Sequence, residues 1–132
     1  MDVALPASHA RAHDDSIDLR DLETDSWITG SPDGCCALMT LTACAAAGFT
    51  PQARHHIDDW QALSQLVSRG HGVALIPRMA QHDLPRDLVI RPVAEQSPRR
   101  HLVAAVREGA QDSPLLTTVL GLLADAARQA GA

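Results

Sequence analysis

The chain has no tyrosine and no lysine, one phenylalanine and two tryptophans. With so few rings, a core must be filled by Leu, Val, Ile and Ala. Hydrophobic residues make up 45% of the 132 positions, enough for one folded domain and too many for a disordered tail. All eleven basic residues are arginine, and only Arg99 and Arg100 are adjacent. At a formal charge of −5 there is no basic cluster to grip a phosphate backbone, so direct nucleic-acid contact by this segment is not expected. The three cysteines, Cys35, Cys36 and Cys44, are an odd number without Cys-x-x-Cys or zinc spacing, which argues for reduced thiols rather than a disulfide framework. No apolar run is long enough to span a bilayer, and the N-terminus lacks the order of a secretion signal. A soluble cytoplasmic domain is therefore expected, with no membrane partner.

Also missing are a Gly-x-Ser-x-Gly elbow, a phosphate-cradling glycine loop and a His-Glu-x-x-His pair, so nothing supports an enzyme. The seven histidines, His9, His13, His55, His56, His71, His82 and His101, show no i, i+4 pair beside a carboxylate on a credible helix. Scattered surface histidines are the reading, with no metal and no cofactor.

What is present is organised around Asp58 to Pro77. Trp60, Leu63, Leu66 and Val67 recur at steps of three and four, which places them on one face of a helix. Asp58 and Asp59 stand where a helix start wants acceptors and negative charge. Gly70 is where the chain must leave that helix, and Val73 to Ile76 is a short apolar run closed by Pro77, as a buried strand requires. Around this unit the pattern predicts strands at 1–6, 27–29, 54–57, 88–93 and 101–107. One helical turn is predicted at 19–22, and Glu95-Gln96-Ser97-Pro98 divides the last two strands. A helix is predicted from Cys35 to Ala47, stopped by Gly48 and Pro51, and another after Ser113-Pro114, with Leu115, Leu116, Val119, Leu120 and Leu123 in its apolar stripe. Helix, glycine turn and buried strand together imply a layered α/β domain.

Several phrases now resemble one family. Ala43-Cys44-Ala45-Ala46-Ala47-Gly48-Phe49-Thr50-Pro51 is similar to the "Cys…Ala-Gly-Phe-x-Pro" signature of LysR-type transcriptional regulators. Leu66 to Pro77 resembles their "Leu-Val-x-x-Gly-x-Gly-Val-Ala-Leu-x-Pro" segment. Leu5-Pro6-Ala7-Ser8-His9 looks like "Leu-Pro-x-x-His-Pro", with Ala10 in place of the last proline. Trp27-Ile28, Arg91-Pro92 and the closing helix follow in the family's order. The resemblance implies an α/β, periplasmic-binding-protein-like (type II) lobe, a mixed sheet flanked by helices, within an incomplete two-lobe effector domain. It further implies a crossover strand at 1–8, lobe two at 9–100, and a strand and helix at 101–132 returning toward lobe one, with no DNA-binding domain. The implied activity is binding of a small-molecule effector without catalysis, in a homo-oligomer.

Two places suit a ligand, because strand ends and helix starts gather free backbone N–H groups. Thr29, Gly30 and Ser31 end a strand ahead of the Cys35 helix, and their turn can receive a small anion or serve only to cap that helix. His56, Ile57 and Asp58 lie where relatives supply effector contacts, and a histidine beside an acid suggests a different ligand or none. Cys35 and Cys36 open a helix, where its dipole favours the thiolate, so a thiol-based oxidant sensor is one alternative; buried core thiols are the other reading, and core is the reading for Cys44. A further alternative is a stand-alone interaction module that pairs with a full-length regulator. If the partner lobe is absent, Leu115, Leu116, Val119, Leu120 and Leu123 lose their cover and form an oligomer interface.

Overall fold

The computed structural model describes residues 1–94, 98–99, 101–110 and 113–130. It divides into two compact units, Met1–Arg99 and Arg100–Ala132.

In the first unit, strand β1 (Asp2–Pro6) is buried along its whole length and lies between β4 (Ala74–Ile76) and β5 (Leu88–Arg91), antiparallel to both. Strand β2 (Ser26–Thr29) runs parallel to β3 (Gln52–His56), with a register shift between Trp27 and Ile28. A single parallel bridge, Trp27 to Val73, joins these two strands to the start of β4. Parallel and antiparallel pairs thus coexist, as the mixed sheet predicted from the sequence requires.

Side chains alternate across the strands and divide the core in two. Val3, Leu5, Trp27, Val73 and Leu75 point to one side, where Cys44, Met39 and Ala43 of helix α1 (Cys35–Ala46), with Ala47 just after it, cover them. Ala4, Ile28, Ala74 and Ile76 point to the other, beneath Leu63 and Val67 of helix α2 (Trp60–Ser68). This is helix, sheet, helix, and it explains why β4 is apolar at every position.

The helix ends follow local chemistry. Asp59 caps α2, its Oδ1 accepting the Ala62 N–H at 2.7 Å, and Gly70 leaves the helix at φ 79°. Gly48 does the same after α1 at φ 94°. The turn predicted at Leu19–Leu22 is a 3-10 turn capped by Asp18, whose Oδ1 accepts the Arg20 N–H at 2.9 Å.

In the second unit, helix α3 (Pro114–Ala130) forms where predicted. The strand predicted at His101 to Arg107 does not: these residues belong to no strand, and all seven are exposed. A short apolar run becomes a strand only when a neighbour takes its hydrogen bonds, and among the described residues none does. Glu95, Gln96 and Ser97, predicted as the divider before it, lie outside the described residues. Leu115, Val119 and Leu123 of α3 are exposed, whereas Leu116 and Leu120 are half-buried; Leu122, not singled out in the sequence, is exposed too.

Candidate functional site

The two predicted ligand stretches, twenty-seven residues apart, meet. Because β2 and β3 are parallel neighbours, both end at the same edge of the sheet. There the Ile57 N–H donates to the Thr29 carbonyl at 2.7 Å, carrying the pairing one step past β3. Beyond that point the contacts pass to side chains. Ser31 donates its N–H to Asp58 Oδ1 at 2.8 Å and its hydroxyl to Asp58 Oδ2. The carboxylate thus straddles the turn, and a Cβ added to Gly30 would lie 3.0 Å from Asp58 Oδ1. These donors hold the exposed Asp58 carboxyl below its ordinary value, the Ser31 hydroxyl first and the Ser31 amide second.

His56 is fixed on the same turn. Its Nδ1 is 3.0 Å from Thr29 Oγ1 and 3.2 Å from the Gly30 carbonyl, which also accepts from Thr29 Oγ1 at 3.1 Å. A carbonyl only accepts, so the arrangement in which every contact is favourable has the proton on Nδ1. In the neutral ring Nε2 is then a free acceptor. Thr29 is buried at 4% exposure, whereas the His56 side chain reaches solvent. Ile57 points away: it packs against the second core cluster beside Trp60 and contributes its backbone rather than its side chain.

Helix α1 starts within reach of this turn. Gly34, its N-cap, has no side chain with which to cap it, and its N–H donates to the Ser31 carbonyl at 2.7 Å. Gly30 lies close enough to α1 that an added Cβ would be 3.8 Å from the Ala37 nitrogen and 3.6 Å from Cys36 Cβ. The turn therefore positions the start of α1 and the carboxylate of Asp58 together.

The core reading of the thiols applies to one of three. Cys44 is buried, and burial pushes its thiol up to about 12, but Cys35 is exposed and Cys36 half-buried. Cys35 Sγ and Cys36 Sγ lie 3.9 Å apart. Neighbouring Cα atoms across a trans peptide stand about 3.8 Å apart, under the usual span of a disulfide, so a Cys35–Cys36 bond would break the first turn of α1.

Elsewhere, His9 Nε2 meets Asp25 Oδ1 at 3.2 Å while its Nδ1 accepts the Arg11 N–H at 3.1 Å. Both ring nitrogens are occupied, and the residue clips the loop after β1. Among the described residues no three His, Cys, Asp or Glu side chains are placed to hold a metal ion. A depression of about 250 Å³ lies between Asp18, Arg20, Ala46 and Val93. It contains none of the strand-end residues. No helix among the described residues is long and apolar enough to cross a membrane.

Comparison with known proteins gives this geometry a setting. The family profile described as the LysR substrate binding domain matches residues 1–128. The HTH-type transcriptional regulator ShiR of Corynebacterium glutamicum is 32% identical over 106 residues, which are 77% of this chain and 36% of that regulator. The chain thus spans about a third of this relative's length. Among solved structures, the Corynebacterium glutamicum OxyR C206 mutant is similar with a TM-score of 0.81 at 16% identity, over 98% of this chain and 41% of that one. The BenM effector binding domain with its effector benzoate is similar with a TM-score of 0.62 at 23% identity, over 71% of this chain and 44% of that one. The effector binding domain of QuiR in complex with shikimate is similar with a TM-score of 0.56 at 22% identity, over 78% and 53%. At these identities the structures attest a common fold.

Proposed function

The chain belongs to the LysR substrate binding domain family, and from that premise we propose that it senses a small molecule at the Thr29–Ser31 and His56–Asp58 edge. BenM and QuiR are effector-binding domains with benzoate and shikimate, and the fold is common to all three. The observation that carries the reading is the convergence itself. Thr29, Gly30, Ser31, His56 and Asp58 come from two separated stretches and present hydroxyl, amide, imidazole and carboxylate groups on one strand-end edge. Such an edge is where open α/β sheets bind ligands. The Thr29 and Ser31 hydroxyls, paired with His56 and Asp58, can hold and orient a ligand. On the same reading, residues 1–8 are the crossover strand, 9–100 lobe two, and 101–132 the segment returning toward lobe one. Ligand binding then acts by shifting the populations of two conformations.

Amide NMR on the chain with a library of small metabolites tests this. A ligand that moves the resonances of residues 29–31 and 56–58 together supports it; one that binds while leaving them still overturns it.

Self-association is a second part of the reading. Helix α1 carries no charged residue and leaves Leu38 63% and Leu41 40% exposed, while α3 leaves Leu115 74% exposed. Apolar faces of this kind are buried in an assembly. Light scattering across a concentration series is expected to give a mass above 14.1 kDa. A constant monomer mass would refute it.

A further inference from the structure

The Gly30–Ser31 turn has the donors of an anion seat, but the chain fills that seat itself. The Ser31 N–H and hydroxyl both donate to the Asp58 carboxylate, one to each oxygen, as they would to a ligand carboxylate. Asp58 is exposed, and among the described residues no arginine or histidine forms an ion pair with it. Its charge is therefore balanced by hydrogen bonds alone and faces outward. Beside it, His56 is exposed and has its Nδ1 engaged by Thr29 and Gly30, which in the neutral ring leaves Nε2 as an acceptor. With the ring neutral, the surface offered to a ligand is one ionised carboxylate and one imidazole lone pair. A second carboxylate there would meet a like charge and find the Ser31 donors already used.

We propose that Asp58 is a built-in occupant of the anion seat, so that this site takes a ligand bringing N–H donors, an organic ammonium, rather than a bare carboxylate. The ammonium pairs with Asp58 while the carboxylate keeps its Ser31 contacts, and a further N–H of the ligand reaches His56 Nε2. This rests on the reading of the edge as the effector site and assigns that site its ligand charge.

A matched pair of probes, benzylamine and benzoate, separates charge from shape. Both are titrated into the labelled chain, following the amides of Ser31 and Ile57. Wild type is expected to bind benzylamine at least tenfold more tightly than benzoate. In Asp58→Ala the order should invert, because the vacated Ser31 donors accept the benzoate carboxylate. Asp58→Asn, which keeps the shape without the charge, should lose the preference for benzylamine. Since Asp58 is exposed, both variants should fold, which the dispersion of their spectra verifies. Benzoate binding to wild type as tightly as benzylamine overturns the proposal while leaving the effector site standing, as does an unchanged order in Asp58→Ala. If neither probe moves these amides in any of the three proteins, the reading of this edge as a ligand site fails, and the proposal with it.

Discussion

Gly72 stands so close to Ser26 that a Cβ on it would lie 2.5 Å from the Ser26 carbonyl oxygen. The closeness has a purpose. The next residue, Val73, donates its N–H to that same oxygen at 2.8 Å and accepts the Ile28 N–H at 2.9 Å, and these two bonds attach β4 to β2. A side chain at position 72 would push apart two backbones, not a flexible side chain.

Gly72→Ala should therefore cost about 3 kcal/mol, the upper part of the range for overpacking. Gly70→Ala, at a turn where nothing lies within 4 Å, should cost only about 1 kcal/mol for its positive φ. Urea denaturation of both variants checks the ranking. Equal losses would mean that the Ser26 contact is not tight.

Trp27 is fully buried between β3 and the start of β4, and its indole Nε1 donates to the Leu22 carbonyl at 3.1 Å. Its ring centroid is 6.1 Å from that of Phe49. Two of the chain's three large aromatics thus form one pair at the centre of one core face. Trp27→Phe removes the hydrogen bond and part of the ring volume, for a loss of about 2 kcal/mol; Trp27→Leu should lose about 3 to 4 kcal/mol. Denaturation midpoints that hardly move would contradict this account of the core.

What could be read in the sequence depended on how far apart its causes lie. Helix α2, its Asp59 cap, the Gly70 exit and the β4 strand were legible because each is decided within about twenty residues. The ligand stretches were legible as strand ends, though the Ser31–Asp58 and Thr29–His56 contacts were not. Those depend on β2 and β3 being parallel neighbours, which no local pattern encodes. The same limit explains the failure at His101 to Arg107, where an apolar run exists without a neighbouring strand among the described residues. Exposure of Cys35 does not follow from the sequence, because a helix without a charged residue suggests burial on every side, while α1 turns only Ala37, Thr40 and Cys44 fully inward.

The Ser31–Asp58 contact predicts a local response to acid. Asp58 has its folded pKa lowered beneath the ordinary 3.8, so it remains ionised longer than an unfolded aspartate as pH falls. Its contribution to holding the turn is present above 3.8 and disappears as pH falls through the lowered value. Carboxyl carbon NMR should show Asp58 titrating below 3.8, with the Ser31 amide shifting in step. In Ser31→Ala, which loses the largest cause of the shift, the midpoint should rise toward 3.8. A Ser31 amide indifferent to pH across that range would break the link.

Cys44 predicts the opposite end of the scale. Burial raises its thiol from the ordinary 9.0 to about 12, so between those values an unfolded chain releases a proton that the folded chain retains. The unfolded state then binds fewer protons, and stability falls as pH rises, by at most about 1.4 kcal/mol for each pH unit. Cys44→Ala leaves a small cavity under β2 and is less stable at pH 8, but it carries no such titration. The gap between wild type and Cys44→Ala should therefore narrow from pH 8 to pH 11. Thiol labelling supplies an independent check at neutral pH: Cys35 should react first, being exposed, and Cys44 last, with a rate that follows unfolding. Parallel stability curves for the two proteins, or Cys44 labelling as fast as Cys35, would show that the thiol is not held in the core as described.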